Sequence, residues 1–242
     1  MMYLNERIDD LQRGGLRVIQ RADAFRFGTD AVLRADFAAP RRHDRVCDLG
    51  TGTGIIPLLL YARENTISAD AVEIQPDMAD MAARSMAMNG LNEKIRVLPG
   101  DLRSIRTLLP HARYDLVTCN PPYGKAGGTL LNPDASKRLA RHEESCAIED
   151  VACAAAWLLQ NGGRLCCVFP AARMIELSDA MRKYRMAPKR IRMVHSRVEK
   201  AAHLCLMEGM LDARPGLIIE PPLVIYDENN AYTPELRRIY GL

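Results

Sequence analysis

The sequence predicts an α/β protein in which a mostly parallel sheet carries helices on both faces. Three observations predict it. Short apolar runs end in turn residues, longer segments with helix-period apolar positions alternate with those runs, and the first strong run passes straight into a glycine-rich turn that opens a helix. With 242 residues, 48% of them hydrophobic, the chain is long enough to bury one sizeable core, so the expected organisation is a single domain over residues 1–242. Within it, residues 1–40 form an N-terminal arm and capping helix, 41–226 the core, and 227–242 a tail.

In order, the arm predicts a strand over residues 16–20 and a helix over 30–39, capped near Thr29 or Asp30. The core predicts strands over 45–49, 69–74, 94–98, 114–119, 163–169, 189–196 and 203–211. Helices are expected over 54–63, 77–89, 102–109, 145–160 and 172–184, with Asn89-Gly90 and Asn161-Gly162-Gly163 as stops. Residues 124–144, rich in Gly, Asn, Asp, Lys and Arg, break the rhythm. A loop of that length is uncommon unless functional, and its expected role is a mobile lid.

Composition excludes several classes. Acidic and basic residues are interspersed through the first twenty positions, so no secretory signal is expected, and no run approaches a membrane span. A cytoplasmic protein with no membrane association is the expectation. Seven cysteines form an odd count without metal-ligand spacing, and most sit in apolar runs such as Leu165-Cys166-Cys167-Val168-Phe169, where a reduced cysteine acts as a small hydrophobe. Neither a disulfide framework nor a metal site is expected. A net charge of +3 is too small to announce nucleic acid by itself, and nothing points to an obligate protein partner.

The glycine turn reads Val46-Cys47-Asp48-Leu49-Gly50-Thr51-Gly52-Thr53-Gly54. Glycines between a strand and a helix let backbone approach a ligand where side chains would collide. Dinucleotide dehydrogenases space them Gly-x-Gly-x-x-Gly, whereas here the spacing is Gly-x-Gly-x-Gly. Asp48 would repel a pyrophosphate but suits the ammonium and sulfonium of S-adenosylmethionine. Two further acids end the next two strands. Glu73, beside Ile74, is placed to accept from both ribose hydroxyls, and Asp101, between Gly100 and Leu102, from an adenine amine. Gly50, Thr51, Gly52, Asp48, Glu73, Ile74, Gly100, Asp101 and Leu102 are therefore the expected cofactor contacts. Each acid alone also reads as a helix cap; three at successive strand ends point to a site.

The fourth strand runs into Asn120-Pro121-Pro122-Tyr123, the most specific motif in the chain. Two prolines fix the loop before substrate arrives and hold Asn120 extended. An adenine amine or a carboxamide is a poor nucleophile because its lone pair is delocalised. The Asn120 side-chain oxygen and the Pro121 carbonyl can accept its two N–H groups as charge develops, and Tyr123 offers a face for a flat base.

These residues resemble the class I S-adenosylmethionine methyltransferases, in the amino-methyltransferase branch marked by Asn-Pro-Pro-Tyr. Within that branch most of the chain resembles the bacterial tRNA1(Val) (adenine-N6)-methyltransferases, through Phe25-Arg26-Phe27-Gly28-Thr29-Asp30-Ala31-Val32-Leu33, the motifs above, Ala140-Arg141-His142-Glu143 and the stretch Pro221-Pro222-Leu223-Val224-Ile225-Tyr226. The resemblance implies a Rossmann-like seven-stranded sheet with its last strand antiparallel. It also implies that Phe27, Gly28, Thr29 and Asp30 close over the methionine end of the cofactor, and that the substrate is the adenosine 3′ of the anticodon in a valine tRNA. Eight basic residues against one acid between Arg182 and Lys200, among them Arg190, Arg192, Arg197 and Lys200, are the candidate RNA contacts, continued by Lys125 and Arg141; a solvated strand edge explains the same pattern.

The runner-up is a protein glutamine methyltransferase, because Asn-Pro-Pro-Tyr serves a carboxamide equally well. Such enzymes usually carry a helical recognition domain ahead of the glycine turn, and only a short arm precedes it here. DNA adenine methylation commonly needs a target-recognition domain, for which the sequence leaves no room. A non-catalytic binding module that keeps the fold is disfavoured by the intact Asn-Pro-Pro-Tyr.

Overall fold

A computed structural model describes residues 3, 5–22, 28–121 and 147–242 of the chain. The expectations that fall on residues 122–146, including the lid at 124–144 and the start of the helix expected over 145–160, lie outside the described residues.

The chain begins with an antiparallel hairpin, β1 (Glu6–Asp10) and β2 (Arg17–Arg21), in which Ile8 faces Ile19. Only β2 was expected, because the polar run Glu-Arg-Ile-Asp-Asp lacks strand patterning; pairing with β2 supplies what the sequence does not. Helix α1 (Thr29–Ala38) follows, with Gly28 rather than Thr29 or Asp30 at the N-cap. The core then alternates β3 (Arg45–Leu49), α2 (Ile55–Arg63), β4 (Ser68–Glu73), α3 (Pro76–Met88), β5 (Ile95–Pro99), α4 (Ile105–Leu108) and β6 (Tyr114–Cys119). After residue 146 come α5 (Ile148–Leu158), β7 (Leu159–Pro170), α6 (Met174–Lys183), β8 (Met186–His195) and β9 (Ala202–Leu211). Helix α3 stops where Asn89-Gly90 predicts, Gly90 taking a φ of 67°.

All seven expected strands form one sheet in the order β8-β9-β7-β6-β3-β4-β5. Every pairing is parallel except those of β9, which runs antiparallel to both β7 and β8. Among the described residues the sheet has nine strands rather than the seven expected, because the two-residue β10 (Ile218–Ile219) and β11 (Leu223–Val224) both add to the outer edge of β8. Runs that short carry no periodicity to read.

Side chains of the central strands alternate between two apolar layers. Val46, Leu116, Cys166, Val168 and Leu206 join α1 and α2 on one face. Cys47, Val117, Leu165, Cys167, Phe169 and Met207 join α5 and α6 on the other. Five of the six described cysteines are buried in these layers. The expected tail is instead a folded element: helix α7 (Pro234–Tyr240), capped by Thr233, buries Leu236 and Ile239 in the first layer. Tyr226, Tyr232 and Tyr240 stack beneath it, and Arg13 of the hairpin turn donates to the carbonyls of Arg238 and Ile239.

From β3 the chain steps outward to β4 and β5, then returns to place β6 on the other side of β3. That reversal makes the carboxyl ends of β3 and β6 the switch point of the sheet, where two loops diverge and leave a crevice. The glycine turn leaves one of these strands and Asn120 the other.

Candidate active site

A cavity of about 260 Å³ opens at this switch point, lined among others by Gly28, Gly50, Thr51, Gly52, Ile56 and Asn120. The fold thus brings together residues that the sequence holds far apart. A larger cavity, about 470 Å³, lies at the amino ends of β3, β4 and β6 among Arg45, Ser68, Asp70 and Tyr114. Parallel sheets bind ligands at their carboxyl ends, so the smaller cavity is the functional candidate.

The glycine turn is shaped by backbone bonds. The amides of Gly50 and Thr51 both donate to the Val72 carbonyl, at 2.9 and 3.0 Å, and that of Gly54 to Thr51 at 3.0 Å. This folds the turn against the end of β4 and brings Gly52 N–H to Glu73 Oε2 at 2.8 Å. Glu73 Oε1 accepts from Gln75 N–H at 2.8 Å, so the carboxylate is clamped, 4% exposed, between the two strand ends. Ile74 beside it is 42% exposed.

Asp48 lies fully buried beneath the turn. Its Oδ1 accepts from Thr118 Oγ1 at 2.6 Å and faces Arg34 Nη2 at 3.5 Å. Burial pushes its carboxyl above the usual value, opposed by the Arg34 charge and by the Thr118 and Thr51 hydroxyls. Its other oxygen has no hydrogen-bond partner among the described residues. An ammonium group is the chemistry that such an oxygen accepts, and the cofactor's amino-acid end carries one. The residues present fit S-adenosylmethionine.

The remaining acid behaves differently. Asp101 caps the short turn Leu102–Ser104, accepting from Arg103 N–H at 2.9 Å, and pairs with the Arg103 side chain, which holds its carboxyl below the usual range. Asp101, Gly100 and Leu102, like Asp48, Glu73 and Ile74, are not among the residues that line the cavity shared by the glycine turn and Asn120. Gly28 opens α1 at the cavity wall, and Thr29 Oγ1 accepts from Tyr240 of the C-terminal helix at 3.0 Å. Of the expected site residues, Phe27, Pro122, Tyr123, Lys125 and Arg141 lie outside the described residues.

The basic stretch divides into two kinds of residue. Arg190 is turned inward, with Nε 2.7 Å from Glu220, Nη1 3.3 Å from Glu208 and its guanidinium over the Phe37 ring. Arg192 pairs with Glu235 at 2.8 Å and donates to the Pro221 carbonyl. Both therefore fasten β8 to the segments around it, and the RNA stripe read from the sequence is narrowed accordingly. Arg197 and Lys200 sit in the β8–β9 turn at the carboxyl edge of the sheet, the edge that carries Asn120. Arg197 bonds the Asp227 carbonyl and Asn230, and Lys200 is exposed. Sequence reasoning missed Arg34, Gln20 and Arg21 in the cavity wall. Arg34 had one signal: an arginine inside the apolar run Ala31-Val32-Leu33-Arg34-Ala35.

Comparison with known proteins agrees with this geometry. Three solved methyltransferase-fold structures frame the architecture: a predicted O-methyltransferase from Agrobacterium tumefaciens (TM-score 0.73, 24% identity, covering 88% of this chain and 96% of that one), TrmN from Thermus thermophilus (0.55, 23%, 75% and 48%), and TYW2 from Pyrococcus horikoshii (0.58, 12%, 88% and 74%). At these identities they speak for the fold alone. Fold and glycine turn together define the class of S-adenosylmethionine-dependent methyltransferases. Within it, the sequence model of the methyltransferase small domain family matches residues 22–190, and the chain belongs to that family. Among curated relatives, the tRNA1(Val) (adenine(37)-N6)-methyltransferase of Porphyromonas gingivalis is 31% identical over 91% of this chain and 89% of its own length. The enzyme of the same name from Tolumonas auensis is 34% identical over 88% and 86%.

Among the described residues no cluster of His, Cys, Asp or Glu stands ready to hold a metal ion, and no helix is long and apolar enough to cross a membrane.

Proposed function

We propose that this protein methylates N6 of an adenine in tRNA, that of the adenosine 3′ of the anticodon in a valine tRNA, using S-adenosylmethionine in the cytoplasm. The observation that carries the reading is Asn120, the first residue of Asn-Pro-Pro-Tyr, lining one cavity with the glycine turn. The names of the curated relatives support the substrate.

S-adenosylmethionine, when bound, supplies a methyl group on a sulfonium that departs as a neutral thioether. The protein's own groups position both ends of that transfer. Asp48 takes the ammonium, and the Glu73 carboxylate, already held by Gly52 and Gln75 amides, takes the ribose hydroxyls. Asn120 Oδ1 and the Pro121 carbonyl would accept the two N6 hydrogens, which would restore electron density to the nitrogen that takes the methyl group. The new cationic nitrogen then loses one proton to water. No side chain need act as a strong base, and holding the amine in line supplies most of the rate.

Labelled methyl transfer to small RNA from a strain lacking this protein tests the reading. N6-methyladenosine in the tRNA fraction is expected; label in protein instead would give first place to the glutamine reading. Replacing Asn120 by Ala should lower turnover by about 10²–10³-fold while leaving cofactor binding nearly unchanged.

A further inference from the structure

Arg34 is an anomaly of helix α1. It is 2% exposed, in a helix otherwise packed against the sheet by Val32, Leu33, Ala35 and Phe37. Burying a guanidinium is unfavourable by several kcal/mol unless its donors are used. Only Nη2 has a partner, Asp48 Oδ1 at the long distance of 3.5 Å; Nε and Nη1 have none among the described residues. The same wall holds two more unpartnered buried atoms, Gln20 Oε1 and Thr51 Oγ1, and behind it lies a third, Asp48 Oδ2.

Arg34 and Gln20 both line the cavity shared by the glycine turn and Asn120. A cation with two donor nitrogens to offer therefore stands in the wall, backed by a buried anion, Asp48, with one acceptor to offer. That pattern is complementary to an amino-acid zwitterion, whose carboxylate and ammonium lie one carbon apart. A guanidinium binds a carboxylate through two parallel N–H groups, a pair that Nη2 completes with either Nε or Nη1, and one such pair stays free when a single Nη2 hydrogen is turned to Asp48. Neutralising Asp48 alone would use one nitrogen and leave the other two buried without a partner, each carrying an uncompensated desolvation.

We propose that Arg34 receives the α-carboxylate of the cofactor's methionine end, Asp48 and Gln20 receiving the α-ammonium. The assignment rests on the cofactor reading above and adds a positioning residue to it. Arg34 fixes where the sulfonium sits relative to Asn120 by anchoring the far end of the same ligand.

The test is calorimetric binding of three ligands to the purified full chain: S-adenosylmethionine, its decarboxylated form, and 5′-methylthioadenosine, which lacks the amino acid altogether. In the wild type the carboxylate strengthens binding. Arg34→Met is expected to weaken S-adenosylmethionine by about 10- to 100-fold and the other two by less than about threefold. The ratio is read within each variant, so a loss of folded protein does not imitate it, and Arg34→Lys, which keeps the charge, restores part of the ratio. Arg21→Met, altering the other cation in the wall, leaves the ratio as it was. Parallel weakening of all three ligands by Arg34→Met, or a selective loss in Arg21→Met instead, overturns the assignment. A wild type that binds all three equally overturns it while leaving the cofactor reading intact; one that binds none sinks both.

Discussion

Replacing Gly54 by alanine sets a methyl group 2.5 Å from Met86 Cε and 3.2 Å from Ala82 Cβ, at a φ of 83°. Gly54 is the residue that turns the chain from the glycine loop into α2, against α3. The conformation costs a residue with a Cβ about 1–2 kcal/mol, and crowding in a packed core adds about 1–3 kcal/mol. Stiffening of the unfolded chain offsets about 0.4–1 kcal/mol. The net is a destabilisation of about 1–4 kcal/mol, or a fall in Tm of about 2–16 °C for a domain of this size. Gly52 provides the control. Its φ is 58°, yet nothing lies within 4 Å of an added Cβ, so Gly52→Ala keeps the strain and loses the crowding. Its expected stability loss is about 1 kcal/mol or less. Because Gly52 lines the cavity, the added methyl group intrudes on ligand space instead, and S-adenosylhomocysteine affinity should fall about tenfold or more. Thermal and denaturant unfolding measure the first quantity and calorimetric titration the second. Equal stability losses for the two variants, or a larger binding defect in Gly54→Ala, would refute the division of labour within the turn.

Two further perturbations read the scaffold. Arg164 is buried between Asp44, Glu208 and the Ala38 carbonyl, so Arg164→Met removes the Asp44 ion pair and leaves Glu208 to Arg190 alone; denaturant unfolding should report a loss of about 3–5 kcal/mol. The Glu6 carboxyl is held below its ordinary value of 4.5 by its bond to Arg84, which joins the first hairpin to α3. Because the folded state binds that proton less readily than the unfolded one, the pair stabilises fully above 4.5 and its contribution fades as pH falls through the depressed value. The protection factors of the Glu6–Asp10 amides, taken against the intrinsic rate at each pH, should therefore fall on acidification below 4.5, and Glu6→Gln should remove that dependence.

What the sequence by itself determined were the features written locally. Seven strands were legible because each is an apolar run bounded by turn residues, and their ends fell within a few residues of the structure. That the glycine turn, Glu73 and Asn120 stand at the carboxyl ends of strands was legible because each ends or follows an apolar run. Helix α7 was not legible, since seven residues hold too little periodicity, and it forms because Leu236 and Ile239 find the apolar layer under α1. The inward role of Arg190 and Arg192 was equally hidden. Charge in a sequence does not say which face of a strand meets Glu208, Glu220 and Glu235, whereas pairing register does. The partner of Asp101 was not legible either: the acid stands beyond the end of a strand as expected, and there it pairs with Arg103. Only the tertiary structure decided that Arg34 stands beside Asp48, fourteen residues away and on another element. Helix packing on a sheet is a long-range event, and the free energy that brings a buried cation to a buried anion comes from the apolar surface around them, which no local pattern encodes.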